Sequence, residues 1–264
     1  FAAPRNTSQP FLVAVGKYLY IGGGSSSTGT PVVDLLRFDT ETGVVFRLAN
    51  LPRGISSADA VVLNDGRLLI WAVSATGLTQ TMAATAFWLY DPTTNLTATE
   101  VLVALPLLNA SSNGHNLAKL PSGGVMIVES SDTTTATATT HTTRYSCVLT
   151  VSGNTVTAGT AENTGASVTT TAVTLLPFAS GVHFYCSGTV YRTYIEGTGW
   201  TTGAQAFSQK VGGYGAGASC NYAYALPGAR GWLVTGNSNS VCNLSVLLTS
   251  ANAPGRPVIY ARKL

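Results

Sequence analysis

Five short apolar runs, each entered from a turn, recur along the chain at residues 18–21 (YLYI), 68–71 (LLIW), 125–128 (VMIV), 182–185 (VHFY) and 232–234 (WLV). Their starts lie 50, 57, 57 and 50 residues apart. A period of that size marks a repeated supersecondary unit that cannot bury its apolar faces alone. Ahead of the later runs stand Leu63-Asn64-Asp65-Gly66, Leu120-Pro121-Ser122-Gly123, Leu176-Pro177 and Leu226-Pro227-Gly228. Such residues supply the positive or fixed φ that a hairpin turn requires. A first strand therefore precedes each turn, and the run is the second. Third and fourth strands are expected at residues 33–39 and 44–48 in the first repeat, and at 87–91 and 99–103 in the second.

Four short strands per repeat make one propeller blade. No stretch of twelve residues combines a 3.6-residue period with helix-forming composition. Thr, Val, Tyr and Gly dominate instead, and they favour strands and turns. The expected fold is all-β: one β-propeller domain over residues 1–264, with five four-stranded blades at about 10–57, 58–113, 114–170, 171–219 and 220–264. The inner strand of blade one is expected at 11–15 and the last strand of blade five at 258–261. Both terminal blades would then be complete, and packing of the last against the first would close the ring.

Residues Tyr20-Ile21-Gly22-Gly23-Gly24, followed by Leu36-Arg37-Phe38-Asp39-Thr40-Glu41-Thr42-Gly43, resemble a kelch repeat. In that family a glycine doublet ends the second strand, and an aromatic-Asp-x-x-Thr turn joins the third and fourth. Leu89-Tyr90-Asp91-Pro92-Thr93-Thr94-Asn95 repeats the turn in blade two. The resemblance covers about the first 95 residues and implies a kelch-like β-propeller.

Charged residues make up 9% of the chain, against ~25% in an ordinary globular domain. The surface is thus mostly hydroxyl and amide, which suits an extracellular, cell-surface or virion-surface protein. The chain opens at Phe1, which favours a cleaved leader. A net charge of +3 without basic runs gives no footprint for nucleic acid, and no apolar run is long enough for membrane insertion. Cys147, Cys186, Cys220 and Cys242 fit two disulfides, with Cys220 and Cys242 expected to pair across one hairpin-scale excursion; four buried thiols are the alternative. No Cys/His spacing suits zinc, and no cofactor or metal is implied. Sequons for N-glycosylation occur at Asn6, Asn95, Asn109 and Asn243.

In a four-stranded meander the connections from second to third strand and from blade to blade share one face. Here they are long, at 22–31, 73–85, 104–114, 129–143 and 208–219, and variable loops on a rigid scaffold are where binding concentrates. The inner strands start at that face, bringing Asp59, His115 and Asn221 toward the channel mouth. Residues 188–203, with Tyr191, Arg192, Tyr194, Glu196 and Trp200, resemble one repeat of the fucose-binding propeller lectins, and imply a sugar site. Packing of those aromatics inside a blade is the competing reading. His115, His141 and His183 show no ligand pattern, and no carboxylate pair or nucleophile–base constellation stands out. The sequence thus reads as a non-catalytic recognition or structural module whose partner is protein or glycan, met through the long-loop face. A subunit of a virion, tail or surface filament and a secreted carbohydrate-active enzyme are the alternatives.

Overall fold

The computed structural model describes residues 7–8, 10–26, 28–77, 85–105, 117–130, 144–165, 173–186, 189–201, 209–211, 219–225, 231–238 and 241–248. Strands β1 (Thr7–Ser8), β2 (Phe11–Val15), β3 (Tyr18–Gly22), β4 (Ser25–Ser26), β5 (Leu35–Asp39) and β6 (Val45–Arg47) open the chain. Next come β7 (Ile55–Val62), β8 (Leu68–Ala75), β9 (Thr85–Tyr90) and β10 (Thr99–Val103). The middle of the chain holds β11 (Leu117–Lys119), β12 (Val125–Ser130), β13 (Arg144–Ser152), β14 (Thr155–Ala158) and β15 (Glu162–Asn163). Then follow β16 (Val173–Phe178), β17 (Gly181–Cys186), β18 (Thr189–Ile195), β19 (Gly199–Trp200) and β20 (Gln209–Val211). The last three are β21 (Ser219–Ala225), β22 (Gly231–Ser238) and β23 (Val241–Leu248).

All the strand pairings are antiparallel. The larger sheets run β2-β3-β5-β6, β7-β8-β9-β10, β11-β12-β13-β14 with β15 on β13, β16-β17-β18-β19, and β21-β22-β23-β20. Their innermost strands follow one another in space, β2 beside β7, β7 beside β11, β11 beside β16 and β16 beside β21. Successive four-stranded meanders stacked through their inner strands are blades around an axis. The chain is a β-propeller.

Alternation along the second strands explains their unbroken apolarity. In β8, Leu68 and Ile70 face the first sheet with Phe11, Tyr20 and Leu35, whereas Leu69 and Trp71 face the third with Val125, Ile127 and Leu149. In β12 the next pair, Met126 and Val128, turns to the fourth sheet and packs on Val182, Phe184 and Tyr194. A strand sandwiched between two sheets has no solvent face, so both of its registers must be apolar.

The turn chemistry is local. Asp39 Oδ1 accepts from the backbone N–H of Glu41 at 2.9 Å and of Thr42 at 3.1 Å, and Asp91 Oδ1 from the N–H of Thr93 at 2.8 Å. Four residues past each Asp the chain turns left-handed, at Gly43 (φ 73°) and at Asn95 (φ 53°). Burial alone would raise Asp39, but those N–H groups and Lys17 outweigh it and hold the carboxyl below its ordinary range. At the glycine doublet, a methyl on Gly22 would stand 2.5 Å from the Phe11 ring.

Sheet five departs from the expectation that each blade draws its strands from one stretch of chain. The place outside β23 is taken by β20, which precedes the inner strand β21 and pairs Gln209 with Leu248 and Val211 with Val246. An eight-residue strand leaves a long row of unpaired N–H and C=O groups at its edge, and β20 satisfies part of it. Residues 258–261, expected there, lie outside the described residues. Cys220 stands opposite Gly236 and Cys242 opposite Asn237, so β22 separates the two cysteines. Two strand spacings amount to about 9–10 Å, beyond the ~7 Å between Cα atoms that a disulfide spans. A Cys220–Cys242 bridge would need a different strand order, since no shift along β22 shortens that gap. Cys147 is buried between sheets two and three, and Cys186 pairs in backbone register with Val173 and Thr189.

Candidate functional site

The residues that resemble a lectin repeat are drawn into the packing of sheets three and four. Tyr194 is buried in the core cluster with Ala118, Leu120 and Met126. Trp200 meets Tyr194 and Phe184 edge-on, at ring centroid separations of 5.5 and 6.3 Å, and its Nε1 donates to Ser146 Oγ at 2.8 Å. Arg192 Nη2 donates to the carbonyl of Gly165 at 2.7 Å. Tyr191 sits at the β17–β18 register shift, between Val190 opposite Tyr185 and Arg192 opposite Phe184. Glu196, in the turn after β18, accepts from the N–H of Ser122 at 3.0 Å and from its hydroxyl. Tyr194 is taken up in packing against sheet three, while Trp200, half-buried, packs within sheet four and reaches sheet three through its indole N–H.

Of the three channel-mouth residues, Asp59 is buried, and its Oδ2 accepts from the N–H of Leu117 at 2.9 Å while Oδ1 accepts from that of Ala60 at 2.8 Å. It joins the inner strands of sheets two and three. Asn221 lies at a register shift in β21, and His115 is outside the described residues. Asn95 carries a sequon, yet its Oδ1 accepts from Tyr90 Oη at 3.1 Å and from the N–H of Ala49 at 3.3 Å. Asn243 pairs with Gly236 in the ladder, and Asn6 and Asn109 are outside the described residues. Most of the long-loop face, including 78–84, 106–116 and 131–143, lies outside them too.

On the opposite face the short turns are latched across blades. Arg67 holds Asp65 through Nε at 2.8 Å and Nη2 at 2.7 Å, and its Nη1 donates to Asn154 Oδ1 at 3.2 Å, joining the first turn of sheet two to the last turn of sheet three. Ser122 and Glu196 repeat that arrangement one blade on. Sequence reasoning missed these latches because the partners are 87 and 74 residues apart and no local pattern links them. It also missed the cleft of about 350 Å³ between the first turns of sheets two and three, and the Arg37 guanidinium sandwiched 4.6 Å from the Tyr18 ring and 4.9 Å from that of Phe46.

No family model matches the sequence, and no curated protein matches it. Among solved structures the chain is similar to one described as the structure of YjhT, with 12% identity and a TM-score of 0.52 over 91% of this chain and 80% of that one. Two others each match 91% of this chain at a TM-score of 0.43. They are a fungal alcohol oxidase of the AA5 family in complex with copper, 13% identical over 62% of its length, and the β-propeller domain of the Trilobed protease from Pyrococcus furiosus, 12% identical over 66% of its length. At these identities the likeness concerns the fold alone. Among the described residues no three His, Cys, Asp or Glu side chains gather as a metal site.

His183 is a half-buried titratable group of sheet four. Its Nδ1 lies 2.8 Å from Thr193 Oγ1, its ring stacks on Phe178 at 4.3 Å, and burial pushes it down to about 4 from an ordinary 6.5. Above 6.5 it is neutral in the folded and unfolded chain alike. Between 6.5 and about 4 the unfolded chain takes a proton that the folded chain refuses. Stability is therefore expected to fall as the pH drops through that window, and to level off below it on this group's account. Urea midpoints at pH 7.5 and 5 should differ less in His183→Gln than in the wild type; an unchanged difference would show that other groups carry the dependence.

Proposed function

We propose that this propeller is a non-catalytic recognition module of five blades, kelch-like in its first two, that binds a protein or glycan partner outside the cell through its long-loop face. The supporting observation is the division of labour between the two faces. Charged side chains on the short-turn face are occupied in latching turns, as with Arg67–Asp65–Asn154, Glu196–Ser122 and Lys17 with Asp39 and Glu41. The described strands that flank the long connections, which are rich in Gly, Ser, Thr and Asn, end toward the other face, and such residues form adaptable hydrogen bonds. Replacing residues 73–85 and 129–143 by short turns is expected to abolish binding on a printed glycan array or to a captured protein partner, with cooperative thermal unfolding retained. Binding that survives both grafts would place the interface elsewhere. A hydrolytic or oxidative activity on a glycan would overturn the non-catalytic reading.

One observation favours the second reading, a structural subunit of a surface assembly. The large apolar residues left exposed among the described residues, Val44, Phe46, Leu96 and Leu102, all lie on or beside the outer strands β6 and β10. Edges of that kind promote lateral association. Light scattering that finds only monomer at high concentration would count against assembly.

A further inference from the structure

The cleft between sheets two and three is built from both kinds of surface that a sugar ring presents. Leu63, Val148 and Val151 form its apolar part. Its polar part comes from Asn64 and Asp65 on one turn and from Ser122 and Thr150 on the next sheet. Its volume, about 350 Å³, stands at the small end of ligand pockets, roughly 300–1,000 Å³.

The geometry of the walls is fixed. A methyl on Gly123 would stand 2.0 Å from Asn64 Nδ2, and Gly123 also has φ +97°, so glycine alone lets that amide lie across the neighbouring turn. Asp65 is held by Arg67 through one oxygen and accepts the backbone N–H of Arg67 through the other at 3.1 Å. A carboxylate has about four acceptor sites, so both oxygens keep capacity for a ligand hydroxyl. The hydrogen bond from Arg67 outweighs burial and holds this carboxyl below its ordinary range.

We propose that the cleft binds a single neutral pyranose, as a free monosaccharide or the terminal unit of a glycan. A carboxylate and an amide side by side accept from and donate to adjacent hydroxyls. The Thr150 hydroxyl extends the set, and Ser122 Oγ, whose proton goes to Glu196 and which accepts the N–H of Gly124, adds its remaining acceptor site. The valine and leucine side chains suit the C–H face of the ring. The lining holds one carboxylate and no lysine or arginine, which disfavours an anion, and Arg67 already neutralises that carboxylate, which disfavours a cation. This site lies on the face opposite the long connections, so it stands or falls independently of binding there.

Saturation-transfer NMR on the full chain, with the methyl glycosides of glucose, galactose, mannose and N-acetylglucosamine at millimolar concentration, tests the proposal. At least one glycoside is expected to give a signal. Thr150→Trp, at an exposed strand position, should fill the cleft and remove the signal, and Asp65→Asn should weaken binding about tenfold or more by loss of a charged acceptor. Silence from all four glycosides on folded protein would overturn the proposal, as would a signal that persists in both variants. A calcium titration that moves the Asn64 and Asp65 resonances without sugar would overturn it in favour of a cation site.

Discussion

Replacing Trp88 by alanine is expected to destabilise the propeller by about 3–5 kcal/mol, the upper range for truncating one core side chain. Trp88 is fully buried in β9 and packs in the cluster shared by sheets one and two, with Phe11, Tyr20, Ile70 and Tyr90. Its Nε1 donates to Glu100 Oε2 at 3.2 Å, and Glu100 also takes Arg53 through Nε at 2.9 Å and Nη2 at 3.2 Å. Truncation thus opens a cavity and removes one donor from a carboxylate that ties the inter-sheet linker to β10. Native domains have only about 5–15 kcal/mol to lose, so the variant should unfold at markedly lower urea. Trp88→Phe separates the two contributions: it keeps most of the apolar volume and gives up the hydrogen bond. A loss within about 1 kcal/mol for the alanine variant would mean that sheets one and two collapse around the gap.

The second strands were legible because two neighbouring sheets enforce one rule on them. Leu68-Leu69-Ile70-Trp71 has to be apolar at every position when alternate side chains enter different cores. The Asp turns at Asp39 and Asp91 were legible because their hydrogen bonds close within four residues. The outer strand of sheet five was not. Gln209-Lys210-Val211 carries no periodic pattern, and it is a strand only because the edge of β23 is there to receive it.

The site was less legible than the fold for the same reason. Tyr194, Glu196 and Trp200 read as blade packing ahead of a sugar platform, and what decides between them is Ala118, Met126, Ser122 and Ser146, contributed by another repeat. A pattern of aromatic and acidic residues states what a surface can do, whereas burial decides whether it is a surface. The cleft at Asn64 and Asp65 was hidden because its walls come from turns that each look like ordinary hairpin chemistry.

Asp59→Ala is expected to cost roughly 2–4 kcal/mol, because hydrogen bonds to an ionised acceptor contribute about 1.5–3 kcal/mol and a buried donor left unpaired costs about 1–3. The inner strands β7 and β11 belong to different sheets and share no ladder. The Asp59 carboxylate bridges them by accepting the buried N–H of Leu117, 58 residues downstream. Alanine removes that acceptor and the one for Ala60, and a methyl group cannot reach across. Asp59→Asn keeps a carbonyl oxygen in place and should recover about half of the loss. Amide hydrogen exchange distinguishes this account from a general loss of packing. The Leu117 amide should lose protection in Asp59→Ala before the amides of β8 and β12 do, since its side-chain acceptor has gone while their ladder partners remain. Equal loss of protection throughout sheets two and three would show that Asp59 acts through the core as a whole. A stability change below about 0.5 kcal/mol would show that water takes over both donors and that the inner strands need no side-chain bridge.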